Sequence, residues 1–531
     1  MAADPTITLQ MDFPVVEPRF DTMPYELLEE VARFLAPDNT LDHADANCRA
    51  AYKKGMSDLL NLCLVSKMLE AVVRPAIFRN IIIWRSTELI LLYRTLTENH
   101  GVGGYIKTLV LSTAFLRCKK HHEMLDLQLL GTIDSDFDLV RRHGSLGMTS
   151  RQENELRSNL YLKVLEKAPS VKEVTLNTPR WAVRGLDDGQ LPEFGIASAM
   201  ANSPVVTAQN SSFRLPQALH TLTIEGQYQG LVEGLPGQFH KLWSQKLNGL
   251  SNLKTMVWLR DDTTWFDSLP GRQWATNGFK GTLQSLTALK LIDSSCRFFD
   301  IAIVCDSFPS LKSLDISSNF LRDNPRMLEG DSLSPGTAQI SLTRSIAKLQ
   351  HLEYLSLDLL SVPDNSKLLG DDGVLDLSSL PTLFAAAISF RLFVSHETLT
   401  STGSRVDPSL VLPRCLALLV ITVRGFSSEA GSNLMEFLGR LREACSNDFP
   451  SLGWVKYRYA AGIPPLSPSR TCLCARVPHE DFCTYDHTSG LLYTYRPWVP
   501  AEKFEDLVAG FGQRGIELTK ATAETYASIG V

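Results

Sequence analysis

The side chains best suited to chemistry lie in "CLCARVPHEDFCTYDH", which places Cys472, Cys474, His479, Cys483 and His487 within sixteen positions. Thiolates and imidazoles are the ligands of tetrahedral zinc, and five in so short a span have the right donor types. The spacing argues against a site. C-x-C replaces the usual C-x2-4-C, and thiols two apart on an extended backbone sit roughly 6 to 7 Å apart, wide for one ion. The segment is expected to be a surface loop with partly buried thiols, and no cofactor is expected. Acidic pairs at Asp187-Asp188, Asp261-Asp262 and Asp371-Asp372 suggest a carboxylate dyad, but adjacent acids on loops are ordinarily solvated charge. The chain contains no P-loop, no H-E-x-x-H, no G-x-S-x-G and no complete G-x-G-x-x-G at "GVGGYIK". Catalysis is not expected of it.

Composition bounds what else it does. The chain has 531 residues, 44% hydrophobic and 21% charged, which is globular and long enough for about three units or one continuous array. A net charge of -6 and a pI near 6.0 give no electrostatic reason to bind nucleic acid or anionic lipid. The first twenty residues lack the basic start and apolar block of a secretory signal, and the longest apolar runs fall far short of a bilayer span. Ten cysteines are scattered along the chain without a framework, as in a reducing compartment. A soluble protein of the cytoplasm, the nucleus or both is expected.

Two apolar helices stand near the N-terminus. In "MPYELLEEVARFL", Pro24 suits a first helical turn and Asp21 and Thr22 offer caps; Leu27, Leu28, Val31, Phe34 and Leu35 share one face. A second helix is predicted over Ser57 to Phe78, capped by Ser57, striped by Leu59, Leu62, Val65, Leu69 and Val72, and ended by Pro75. Two such helices cover each other only in part, so apolar side chains are left for the rest of the chain or for another protein.

The order Met23-Pro24-x-Glu26-Leu27-Leu28-x-x-Val31-x-x-x-Leu35, then Asp58-Leu59-x-x-Leu62-x-x-Val65-Ser66-Lys67, then Ile77-Phe78-Arg79 resembles the F-box, the adaptor-docking module of SCF-type ubiquitin ligases. The resemblance covers about 21–84, after a flexible 1–20. It departs from the family at 36–56, some twenty residues where most F-boxes have a few; a surface loop of that length costs little to close. The resemblance implies that Pro24, Leu27, Leu28, Val31, Leu59, Leu62 and Val65 face a Skp-family adaptor.

Beyond residue 100 one pattern returns nine times: two leucine-like anchors three apart and a third two further on. It appears as "IKTLVL" (106–111), "VKEVTL" (171–176), "LHTLTI" (219–224), "LKTMVW" (253–258), "LTALKL" (286–291), "LKSLDI" (311–316), "LEYLSL" (352–357), "LALLVI" (416–421) and "LGWVKY" (452–457). Each copy ends with the period of a strand, turns such as "APS" and "FPS" precede several, and helical stretches at 151–168 and 433–445 lie between copies. Strand, connector, strand makes a parallel sheet, so the fold class is α/β.

The copies resemble irregular leucine-rich repeats, best in "LKSLDISSN" with Leu311, Leu314, Ile316 and Asn319. First anchors lie 25 to 65 residues apart, so the array over 85–520 carries long insertions, including 185–212 and 323–337, and in this it is similar to many fungal F-box proteins. The resemblance implies a solenoid whose inner face carries Thr175, Thr223, Val257, Lys290, Asp315, Ser356, Val420 and Lys456, and an unknown protein target there. An ordinary α/β sheet would look similar over six residues. A helix over 500–512, with Phe504, Leu507, Val508 and Phe511 on one face, and a strand at 515–519 close the array; 521–531 is a tail. The function implied is substrate recognition for a cullin-RING ligase, the alternative a protein-interaction scaffold whose helical cap packs on itself.

Overall fold

The computed structural model describes residues 23–37, 46–111, 160–161, 163–177, 215–225, 250–259, 284–292, 298–317, 341–359, 374–394, 407–424, 428–460, 483–486, 491–494 and 501–520. The chain is α/β, built on one twelve-stranded parallel sheet. Its strands are β1 (Asn80–Ile83), β2 (Thr108–Leu111), β3 (Glu173–Asn177), β4 (Thr221–Glu225), β5 (Thr255–Leu259), β6 (Ala288–Ile292), β7 (Ser313–Ser317), β8 (Tyr354–Asp358), β9 (Ala385–Ser389), β10 (Leu418–Arg424), β11 (Trp454–Ala460) and β14 (Glu517–Lys520). They lie side by side in chain order, while β12 (Cys483–Asp486) and β13 (Leu491–Thr494) form a separate antiparallel pair.

Each of the nine repeated segments is a strand, and the local cause is visible in the backbone. The first anchor of a unit closes a turn onto the carbonyl three residues back: the N–H groups of Val171, Leu253, Leu311 and Leu452 donate to Ala168, Leu250, Phe308 and Phe449. The residue just before each strand then accepts from the next unit, as Lys107 does from Lys172 and Glu173 at 2.7 and 3.0 Å. Side chains reinforce the stacking. Ser285 donates to the Leu253 carbonyl (2.9 Å), Thr382 to that of Leu352 (2.9 Å) and the Cys415 thiol to that of Leu383 (3.2 Å), each standing one residue before an anchor. Burial pushes the Cys415 thiol above its ordinary range, which suits a structural donor and not a nucleophile.

One side of the sheet is the core. Leu109, Val174, Leu222, Met256, Leu289, Leu314, Leu355, Ala386, Leu419 and Val455 pair in register across neighbouring strands, all buried. Helices α4 (Ser86–Glu98), α5 (Phe298–Ser307), α6 (Leu342–Ile346) and α8 (Ser428–Ala444) add Leu89, Ile301, Ile346 and Leu441 to it, and a single turn α7 (Pro408–Val411) adds Val411. At the last strands α9 (Ala501–Gly512) packs Leu507 and Phe511 into the core and sets Phe504 edge-on against Tyr457, centroids 5.1 Å apart. Val508, expected on that face, is exposed. The chain then reverses into β14 through Gly515, whose φ of 71° an L side chain would strain.

The N-terminal region differs from the sequence expectation. After α1 (Tyr25–Leu35), the segment expected as one helix from Ser57 is two, α2 (Ala46–Cys63) and α3 (Lys67–Arg79). The elbow at 64–66 is sequence-encoded: Ser66 takes an extended conformation and its hydroxyl accepts from the Leu69 N–H (3.2 Å), capping α3. Ser57 caps nothing, because residues 46–56, expected in a loop, are the first turns of α2. Pro75 does not end α3. The bond it forfeits would have gone to exposed Ala71, where water can serve the carbonyl, while Val72, Val73 and Ile77 around it are buried.

Candidate functional site

The three N-terminal helices have small cores of their own. Leu28 packs with Leu69 and Val72, and Ala32 with Leu59, Val73 and Ile77; Leu62 touches both clusters. Two residues expected to face a partner are therefore core: Leu28 is 1% exposed and Leu59 0%. The reason is packing geometry, since three helices bury the 28/32 and 59/62 stripes where two would have left them open. Val31 and Leu62 are half-buried, and Pro24, Leu27 and Val65 are exposed.

What stays open is apolar. Leu27, Val31 and Phe34 recur at i, i+4 and i+7 along α1, with Phe34 89% exposed. At the elbow, Leu60, Leu64, Val65 and Met68 are exposed, Leu64 at 85%. With Met23 and Tyr25, these helices hold eight of the fourteen exposed large hydrophobic side chains among the described residues. A helical module of this size does not leave Phe34 and Leu64 in water for its own stability. Phe34 and Leu64 were not singled out for docking from the sequence, although Phe34 completes the α1 stripe.

The module is fixed to the sheet by the first half of α2. Tyr52 donates to the Asn80 carbonyl (2.9 Å) and accepts from the Ile82 N–H (3.4 Å). Its ring meets Trp84 edge-on at 5.0 Å, and Arg49 stands over Trp84 at 5.3 Å. Burial pushes the Tyr52 phenol up from 10.0 to about 12, against the Ile82 hydrogen bond. Tyr52 also packs on Ile82 and Val110, the non-core side of β1 and β2.

That side carries the row expected to meet a target. Ile82, Val110, Thr175, Thr223, Val257, Lys290, Asp315, Ser356, Ala387, Val420 and Lys456 are in register across β1 to β11. Thr175, Thr223, Val257, Lys290, Asp315 and Lys456 are part-exposed. Ser356 and Val420 are not available, being 5% and 0% exposed, because from β8 to β10 this side is packed over as well. Asp315 accepts a hydrogen bond from Ser356. Burial raises its carboxyl pKa and the charge of Asp358 adds to that, while the Ser356 bond and the Lys290 charge oppose it. Burial lowers the Lys290 amine, with Asp315 opposing.

Cys472, Cys474, His479 and His487 lie outside the described residues, as do Asn319 and the three acidic pairs; Cys483 opens β12 opposite Thr494. No metal-ligating group of three or more occurs among the described residues, and no helix among them is long and apolar enough to cross a membrane. Compared with known proteins, the chain matches no family model and no curated protein.

Proposed function

We propose that this chain is a substrate-recognition subunit of an SCF-type, cullin-RING ubiquitin ligase. The helical module acts as an F-box and docks a Skp-family adaptor; the sheet, as an irregular leucine-rich-repeat solenoid, holds a target protein on its non-core side. The observation that carries this is the location of exposed apolar side chains, concentrated at Leu27, Phe34, Leu60, Leu64 and Val65 while the sheet's anchors are buried. The chain-order parallel strands and the constant register support the repeat assignment. The chain itself performs no bond-making step; it raises the effective concentration of a target lysine near a separately supplied ubiquitin-loaded enzyme.

One observation favours a second function, an interaction scaffold that binds no adaptor: Leu28 and Leu59 are satisfied within the module. Co-purification with a recombinant Skp-family adaptor separates the two. Wild type is expected to bind, and the Leu64→Asp/Val65→Asp double variant, which alters only exposed positions, to fail. A folded wild type that leaves the adaptor unbound would leave the scaffold.

A further inference from the structure

The rim of the sheet where the strands begin is basic from β1 to β5. Arg79, Lys107, Lys172, His220 and Lys254 each stand one residue before a strand, and the backbone joins them in a ladder. The N–H of Lys107 donates to the Arg79 carbonyl (2.8 Å), that of Lys172 to Lys107 (2.7 Å), that of His220 to Lys172 (2.7 Å) and that of Lys254 to His220 (2.9 Å). Steps of about 4.8 Å carry the row over about 19 Å, the length of roughly six extended residues.

Nothing in the fold asks for these cations. The ladder uses backbone groups alone, and Thr287, Phe384, Ala417 and Gly453 hold the same place farther along. Like charges on neighbouring strands repel, so the row costs the sheet free energy. Arg79, Lys172 and Lys254 are exposed, Lys107 and His220 part-exposed, and no ion pair among the described residues involves any of the five. The residues that follow them, Asn80, Thr108, Glu173, Thr221 and Thr255, supply one carboxylate. The row ends at uncharged Thr287, beyond which Lys312 is paired with Glu353 at 2.7 Å. A chain of net charge -6 thus concentrates unpaired positive charge along one short line. A long polyanion would meet that net charge, whereas a short acidic segment meets the local field, within a screening length of about 10 Å.

We propose that the rim from Arg79 to Lys254 binds an extended acidic segment of a target protein, with several aspartates or glutamates within about six residues. This rests on the target-holding part of the proposed function and names the chemistry of the target. It is independent of adaptor docking, because the open apolar side chains of the module take no part in it.

Selection from a displayed library of random peptides on the full chain, at physiological salt, tests it. Peptides with clustered aspartate or glutamate are expected to be enriched. An enriched peptide is expected to bind Lys172→Glu/Lys254→Glu at least about tenfold more weakly and Lys172→Arg/Lys254→Arg within about twofold of wild type. Lys53→Glu/Lys54→Glu, which makes the same charge change at exposed positions of α2, is expected to leave binding unchanged, as is Leu64→Asp/Val65→Asp. Thermal unfolding of each variant checks that it folds. A single-stranded oligonucleotide at equal charge concentration is expected not to displace the peptide. Basic, apolar or no enrichment, equal loss in Lys53→Glu/Lys54→Glu, or displacement by the oligonucleotide would overturn the proposal.

Discussion

The sheet and the helical module treat the same kind of residue in opposite ways. In the sheet, Leu222, Leu314, Leu355 and Leu419 are all 0% exposed, because each strand is flanked by another carrying the same anchors in register. In the module, Phe34, Leu64 and Val65 are 89%, 85% and 64% exposed, because three short helices have interior room for only one stripe each. Stacking supplies the sheet with its own partner; the module leaves part of its apolar surface open, and on the proposed function an adaptor covers it. An apolar side chain is thus evidence of stability in the first region, and in the second it is the basis of the proposed docking.

Substitutions sharpen that contrast. The largest loss is expected at an anchor: Leu314→Ala removes a fully buried side chain between two strands and should lower stability by about 2 to 5 kcal/mol, read by chemical denaturation. Gly103→Ala should cost about 1 to 3 kcal/mol, since a Cβ there would fall 1.9 Å from the Lys167 carbonyl oxygen and force the first units apart. A result near zero at either position would break the account of the sheet as a stack of interlocked units.

Tyr52→Phe tests the junction of the two regions. It deletes two hydrogen bonds and should cost about 1 kcal/mol at neutral pH. The folded pKa is raised above the ordinary phenol value of 10.0, so the contribution of neutral Tyr52 is complete below pH 10 and is lost as pH climbs toward about 12. The variant should show a shallower fall in stability than wild type across that window, followed by denaturant titration at each pH. The smallest effect is expected at the elbow. Leu64→Asp/Val65→Asp should stay within about 0.5 kcal/mol of wild type in the same assay, because neither side chain is buried.

Much of the fold was legible because a strand announces itself by period two and a repeat by recurrence. The elements missed lacked one of those signals. β9 is "AAAIS", where Ala386 stands at an anchor position usually held by leucine, and β1 follows α3 with no turn between them. The first half of α2 was hidden by Gly55 among polar residues, although Tyr52, Met56 and Leu59 recur at helical spacing; that glycine is required because a Cβ would meet the Leu35 carbonyl at 2.9 Å. The proposed docking surface was half legible. A stripe as wide as 27, 28, 31, 34 and 35 shows that a face is apolar, but which edge is core depends on where the third helix lands. The row from Thr175 to Lys456 does lie in register on one side of the sheet, whereas the burial of Ser356 and Val420 depends on what packs beside the strands and leaves no trace in a six-residue pattern.

On the proposed function, the open apolar side chains of the helical module form a docking surface for the adaptor. Amide hydrogen exchange of the full chain with and without a Skp-family adaptor tests it most directly. Added protection confined to Tyr25–Leu35 and to the elbow around 60–68, with β3 to β11 unchanged, is the result expected. Protection that appears on the sheet instead, or none at saturating adaptor, would contradict it.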